Sequence, residues 1–489
     1  MVGVLLSAEA KPGLTPGSNC WRVEAATRAA LVVDADAYFR VVREAMLKAE
    51  RRIMLIGWDF DARIRIGEPG PDGDGAPETI GDFILWLADR RPDLDIFLLR
   101  WDFGAIKALF RGITPLTLLR WWRHPRIHVK LDAIHPPGAS HHQKIVAIDD
   151  CFAFCGGIDI TARRWDTRDH EDADPRRIGS DGKPYGPWHD ATMALEGPVA
   201  AALGELARER WRCATEQRLP AIEGRSECWP ESLEVQFRDT EVAISRTAPD
   251  FEPVEECREI EALYLDLIGR ARRFIYAESQ YFASRPIAEA IAKRMAEPDG
   301  PEIVLINPEQ ADGWLEQQAM DTARARLWEA IEEVDHADRF RIYHPFTRGG
   351  APIYVHAKIM IVDDEVLRVG SSNWNNRSLR LDTECDVTID AAGKDETAAI
   401  VQLREGLMAE HLGAEPAAVA RAIAETGGLI AAIERMRGPG RTLRPYVKPE
   451  LGKIEQALAD GEVLDPEGPD EMFEPLTKRG LFRRLRRPG

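Results

Sequence analysis

Helix-periodic segments that run into short apolar stretches recur along this chain. Tyr38 to Arg51 leads into Arg52-Ile-Met-Leu-Ile-Gly57-Trp58, and Ile260 to Ala271 leads into Arg272-Arg-Phe-Ile-Tyr276-Ala-Glu278. Apolar residues three and four apart predict an amphipathic helix, and the apolar run after each predicts a buried strand. Lys144 to Ile148 and Lys358 to Val362 are rich in β-branched residues, and each run ends in Asp-Asp before a second apolar run. They predict strand, tight turn, strand. Strands alternating with helices predict an α/β fold with a mostly parallel sheet covered by helices. Pro, Gly, Ser and charge interrupt the pattern between Pro220 and Asp239, where the chain is expected to divide, and residues after about Pro439 read as an extended tail.

The two strand-turn-strand segments belong to a longer duplication. His142-Gln-Lys144-Ile-Val-Ala-Ile-Asp149 is followed, after six residues, by Gly156-Gly157-Ile-Asp159. His356-Ala-Lys358-Ile-Met-Ile-Val-Asp363 is followed, again after six, by Gly370-Ser371-Ser372-Asn373. Such a match is expected by chance about once in a million starting positions, and here it occurs twice. Residues two apart in a strand share a face, so His142 points with Lys144 and His356 with Lys358. Folding back at the turn returns Gly156 and Gly157 to the level of His142, where a missing side chain lets backbone or ligand approach. Asp149 and Asp363 lie at the far end of the strand and read as turn residues, not as acids of a reaction.

Composition narrows the possibilities. The 489 residues carry 44% hydrophobic and 30% charged positions and a net charge of -18. That is a globular composition, long enough for two or three domains or one large duplicated unit. The negative charge argues against a nucleic-acid partner, whose affinity comes largely from Lys and Arg. No run of 18 apolar residues and no basic segment ahead of an apolar core near the start is present, so the expected location is cytoplasmic, peripheral at a membrane at most. Seven cysteines, at 20, 151, 155, 213, 228, 257 and 385, are odd in number and widely spread, and are expected to be reduced thiols.

Two histidines and two lysines match the needs of phosphodiester cleavage. One imidazole attacks phosphorus, the other protonates the leaving alcohol and then deprotonates an acceptor. Lys144 and Lys358, with Asn373 and the Ser372 hydroxyl, would hold the non-bridging oxygens without a metal. Each histidine needs a carboxylate on its other ring nitrogen, and Glu384 and Asp190 are the candidates, in either pairing. His141, His124 and His128 read as structural.

At these residues the sequence resembles the phospholipase D superfamily, and more narrowly the catalytic core of the eukaryotic-type phospholipases D. The resemblance covers roughly Ala29 to Gly413 and includes Gly57-Trp58, Gly157-Ile-Asp159 followed by Arg164-Trp165-Asp166, Pro187-Trp-His-Asp190, Glu278-Ser-Gln280-Tyr281-Phe282 and Tyr354-Val-His356-Ala-Lys358. It implies two α/β/α halves about a pseudo-twofold axis, with mixed, largely parallel sheets. The expected divisions are an N-terminal extension (1–28), first half (29–225), second half (226–438) and C-terminal extension with a basic tail (439–489). The resemblance further implies hydrolysis or transphosphatidylation of phospholipids, no cofactor, His142 as nucleophile and His356 as general acid and base. Asp159, Gly157, Ser371, Ser372 and Gln280 join the expected substrate-binding set. Asp159 departs from symmetry with Asn373, since a carboxylate donates to phosphate only when protonated. A cardiolipin-synthase-like transferase and a nuclease of the same superfamily are the alternatives. The expected partner is a phospholipid at a membrane surface, met by a monomer whose site is complete within one chain. Two segments suit a membrane: Phe103 to Trp122, which also reads as cleft wall, and the basic Lys478 to Arg487, which also reads as a solubilising tail.

Overall fold

The computed structural model describes residues 13–67, 75–102, 112–224, 228–310 and 314–449. Its first eight strands are β1 (Arg22–Val33), β2 (Arg52–Gly57), β3 (Asp95–Trp101), β4 (Ile127–Asp132), β5 (Ile145–Ile148), β6 (Phe152–Gly156), β7 (Trp188–His189) and β8 (Ala191–Glu196). After the Pro220 to Asp239 region come β9 (Phe237–Ala248), β10 (Cys257–Arg258), β11 (Phe274–Glu278), β12 (Glu302–Ile306), β13 (Phe340–Phe346), β14 (Tyr354–Val355), β15 (Ile359–Val362), β16 (Val366–Gly370), β17 (Glu384–Asp390) and β18 (Thr442–Pro445).

One mixed sheet of 16 strands organises the chain, in the order β18-β13-β12-β11-β15-β16-β17-β9-β1-β8-β6-β5-β2-β3-β4, with β10 on β9. From the antiparallel seam between β1 and β9, the order outward is β8, β6, β5, β2, β3, β4 on one side. It is β17, β16, β15, β11, β12, β13 on the other, and every corresponding pair has the same sense. The duplication in sequence is therefore a twofold relation in the sheet. The two halves also meet through β7 and β14, which pair parallel as a separate ribbon.

Helices lie on both faces. Pro198–Thr215 and Lys394–Leu412 supply Leu203, Trp211, Ile400 and Leu407 to one apolar core that runs under both halves. On the opposite face each half has its own core, built from helices Ala35–Lys48 and Ile80–Arg90 in the first and Glu259–Arg270 and Arg285–Met295 in the second. Strands such as β2 and β11 are thus buried on both faces, which is why they read as unbroken apolar runs.

Three expectations change. The sheet is mixed, but parallel pairing within it is confined to β2-β3-β4 and β11-β12-β13; the centre is antiparallel. An apolar run signals burial on two faces and not strand direction, so periodicity alone could not separate the two. The chain enters the sheet at Arg22, upstream of residue 29, and β18 adds an edge strand to β13 beyond Pro439. Cys151 and Cys228 are joined as a disulfide, with Cα atoms 6.2 Å apart. Their separation of 77 residues gave no local signal, because Cys228, beyond the expected end of the first half at 225, packs back into that half's core.

The Phe103 to Trp122 segment is described only from residue 112, and Lys478 to Arg487 lies outside the described residues. Helix Pro115–Arg123 buries Leu118 and Trp121 but leaves Leu116 (67%), Leu119 (43%) and Trp122 (61%) exposed. The buried face accords with the cleft-wall reading, and the other face is exposed and apolar.

The aspartate of each motif closes a hairpin. Asp149 and Asp150 have φ of 51° and 52°, Asp363 and Asp364 of 54° and 61°, and the residue after each pair bonds back across the turn. These are type I′ turns, in which aspartate tolerates the left-handed region better than most residues. The Asp149 carboxylate accepts the backbone N–H groups of Glu50, Arg51 and Arg52 at 2.7, 2.8 and 2.6 Å. Asp363 does the same for Arg272, Arg273 and Phe274 at 2.7, 2.7 and 2.9 Å. Each thereby anchors the hairpin to the start of the neighbouring strand, fixing the register that places the histidine and lysine at the opposite end. Asp363→Ala leaves three N–H groups without this charged acceptor and is expected to lower stability by about 2 to 4 kcal/mol in a denaturant titration.

Candidate active site

His142 and Lys144 lie just ahead of β5, and His356 and Lys358 just ahead of β15, in extended chain. The His142 N–H donates to Thr383 O at 2.9 Å, and the His356 N–H to His189 O at 2.7 Å. Each motif is thus anchored on backbone of the other half.

The side chains are crossed in the same way. His142 Nδ1 lies 3.0 Å from both oxygens of Glu384, and His356 Nδ1 lies 2.7 Å from Asp190 Oδ2. Glu384 opens β17 and Asp190 sits between β7 and β8, so each ring takes its carboxylate from the opposite half. A carboxylate on Nδ1 fixes the tautomer and leaves Nε2 as the reactive edge. Glu384 is held by the hydroxyls of Ser371 and Ser378, and Asp190 Oδ1 by the Ala191 N–H at 2.8 Å.

The lysines are also arranged alike, with Lys144 Nζ donating to His142 O at 2.9 Å and Lys358 Nζ to His356 O. Lys358 and Asn373 both reach Gln280 Oε1 at 3.4 Å, while Lys144 meets Asp159 Oδ2 at 3.3 Å. Trp58, stacked on Trp101, meets the edge of His142. Trp188, stacked on Tyr354, lies beside His356 with the Arg164 guanidinium over its ring.

Burial pushes the Lys358 ammonium down to about 7, with Lys144 adding to the effect and Asp190 opposing it. Burial also holds the His356 ring well below its ordinary value, and Lys358, Arg164, Lys144 and His142 push the same way. Burial raises the Asp190 carboxyl against the pull of Lys358 and the Ala191 N–H. Burial acts upward on Glu384 too, but His142 and Lys144 outweigh it and keep it below the usual carboxylate range. Lys144 and His142 of the first motif thus act on His356 of the second.

Some expected substrate contacts are occupied otherwise. The Ser371 hydroxyl donates to Glu384, and the Ser372 hydroxyl donates to Asp386 at 2.6 Å beside Arg368, so neither is turned to a phosphate. Gly157 is small for another reason: a Cβ there would lie 2.2 Å from Asp190 Oδ1. Asp159 accepts the Trp58 N–H at 3.1 Å and faces Lys144. These residues position the pairs. Arg164 was not singled out from sequence as a site residue, and nothing in its local spacing marks it; only the approach of Trp188 to His356 reveals it. His141 is structural, bonded to Thr383 Oγ1 at 2.9 Å and facing Asp132 at 3.1 Å.

A sequence profile described as "Phospholipase D" matches residues 128–288, and one described as "Cardiolipin synthase, PLD-like domain" matches residues 264–404. Between them they take in both motifs. The chain belongs to the phospholipase D superfamily. Among relatives in the superfamily, Phospholipase D1 of Saccharomyces cerevisiae is 26% identical over 78% of this chain and 29% of its own length. Phospholipase D A of Dictyostelium discoideum is 25% identical over 79% of the chain and 36% of its own length. Cardiolipin synthase A of Pseudomonas entomophila is 28% identical over 54% of the chain and 47% of its own length. The chain spans less than half the length of each. A phosphatidylserine synthase structure from Haemophilus influenzae shares the superfamily fold, with a TM-score of 0.54 at 13% identity over 84% of this chain and 95% of that one.

The crossed pairing has an energetic signature. A double-mutant cycle on His142→Ala and Glu384→Ala is expected to give a coupling of about 1 to 3 kcal/mol in unfolding free energy. His142→Ala with Asp190→Ala, which do not bond each other directly, should give a smaller coupling.

Proposed function

We propose that the chain cleaves the distal phosphodiester bond of a glycerophospholipid in two displacements at one pair of histidines. The crossed pairing carries this reading, because it presents two oriented imidazoles to a single lysine-lined cleft. In the first step Nε2 of His142 attacks phosphorus, the bond to the headgroup oxygen breaks, and that oxygen takes a proton from His356. In the second step water or an alcohol gives its proton to His356 and attacks phosphorus, and the P–N bond breaks. The acceptor decides between phosphatidic acid and a transferred phosphatidyl group. The family resemblance assigns the attack to His142. Burial and then the surrounding cations disfavour a proton on His356, and a bound phosphodiester anion would offset the repulsion by those cations. Lys144, Lys358 and Asn373 would take the non-bridging oxygens.

The superfamily's phospholipase D and cardiolipin synthase relatives support a lipid substrate. The outward ridge of Leu116, Leu119 and Trp122 supports work at a membrane surface. No helix among the described residues is long and apolar enough to cross a membrane. The match to the cardiolipin synthase profile favours a second reading, transfer to the hydroxyl of a phosphatidylglycerol.

Vesicles of phosphatidylcholine with a primary alcohol are expected to yield choline and the phosphatidylalcohol, with both lost in His142→Asn and His356→Asn. Cardiolipin formed from phosphatidylglycerol alone would select the second reading, and inertness on both lipids would sink the lipid proposal. The charge on Lys358 is present below about 7 and lost above it in the free protein. On a soluble chromogenic phosphodiester, kcat/KM should therefore fall as pH rises through about 7. A profile flat well above that value contradicts a role for the Lys358 charge.

A further inference from the structure

Behind His356 lies a cluster of ionisable groups that the two-histidine mechanism does not use. Asp34, His170, His189 and Glu410 are all buried, and one ligand-capable atom from each falls within 4.8 Å of the others. His189 Nδ1 lies 2.7 Å from Glu410 Oε1 and 3.2 Å from Asp34 Oδ1. His170 Nε2 lies 3.1 Å from Glu410 Oε1 and 3.7 Å from Asp34 Oδ2. Ligands about 2.0 to 2.2 Å from a tetrahedral ion are separated by roughly 3.3 to 3.6 Å, a range that these gaps, from 2.7 to 3.7 Å, bracket.

Two further observations distinguish the cluster from an ordinary ion-pair network. Asp34 Oδ2 is buried without a hydrogen bond and faces His170 Nε2 at 3.7 Å. The outer nitrogens of both rings are held by carboxylates: His170 Nδ1 lies 2.9 Å from Asp166 Oδ2, and His189 Nε2 lies 2.8 Å from Glu278 Oε2. A carboxylate on the far nitrogen is the usual support of a metal-bound histidine.

We propose that Asp34, His170, His189 and Glu410 form a structural site for a zinc-type divalent cation. Two imidazoles and two carboxylates, four ligands in all, suit zinc better than calcium or magnesium, which prefer more oxygen ligands. The ligands sit far apart in sequence and come from both halves, so no spacing motif announces them. Asp34 Oδ1 also accepts the Asp190 N–H at 3.1 Å, and His189 adjoins Asp190. The ion would therefore pin the segment that carries the carboxylate partner of His356 while clasping the halves together.

Full-length protein, produced in zinc-supplemented medium, freed of any tag and dialysed, should retain about one zinc per chain by elemental analysis. His170→Gln and Glu410→Gln should each retain less than about a tenth as much. Chelator-treated protein should melt lower by about 5 °C or more and recover when zinc alone is returned. Cobalt alone, added to the chelated wild type, should give the intense visible absorption of a tetrahedral site, which reads the site even if both variants fail to fold. Protein without stoichiometric metal that shows neither the zinc recovery nor the cobalt spectrum overturns the proposal, as does zinc retained undiminished in both folded variants. None of these readings involves a phospholipid, so they stand apart from the substrate assays.

Discussion

Each imidazole of the cleft is oriented by a carboxylate that belongs to the other half of the molecule. His142 leans on Glu384 and His356 on Asp190, and each histidine N–H is tied to backbone of the opposite half as well. The reciprocity has a consequence for the whole chain: neither half orients its own histidine, so the halves must meet in one register for either ring to be correctly placed. The continuous sheet supplies that register through the β1-β9 seam, and the β7-β14 ribbon repeats the connection beside His356. Glycine at 157 follows from the same constraint, since any side chain there would collide with Asp190.

The electrostatics follow from the geometry. Bringing two lysines and two histidines together in buried surroundings is costly unless negative charge is near, and Glu384, Asp190 and Asp159 provide it from behind. The resulting cleft is poised for an anion: the Lys358 charge is lost near neutrality in its absence, and the charge on His356 is repelled by its neighbours. On the function proposed above, a phosphodiester would complete the charge balance that the protein leaves open, with the hydroxyls of Ser371 and Ser378 and the amide of Gln280 holding the partners in place.

What was legible in the sequence was local. The hairpin of each motif was readable because its Asp-Asp turn and the apolar runs on either side are contiguous in sequence. The helix-to-strand units at Tyr38 to Trp58 and Ile260 to Glu278 appear as read. Glu384 and Asp190 were visible as candidates, but their assignment was not, because it depends on how two halves 200 or so residues apart dock, and residue spacing contains no such information. Strand direction was misread for a related reason: strands buried on both faces look alike whether their neighbours run parallel or antiparallel. Cys151 and Cys228 read as separate thiols in the sequence because only packing of residue 228 into the core of the first half brings them together. The Ser371 and Ser372 hydroxyls were expected at a phosphate because the motif places them beside Asn373, whereas β17 draws them toward Glu384 and Asp386.

The central claim is covalent passage through one of two paired histidines, and trapping the adduct tests it most directly. Protein mixed with a soluble phosphodiester, quenched under alkaline conditions that preserve phosphohistidine and mapped by mass spectrometry, should carry the substrate's phosphoryl group on His142. Adduct and product should both vanish in His142→Asn. Product formation that persists in that variant, or an adduct on any residue other than the two histidines, would contradict the account.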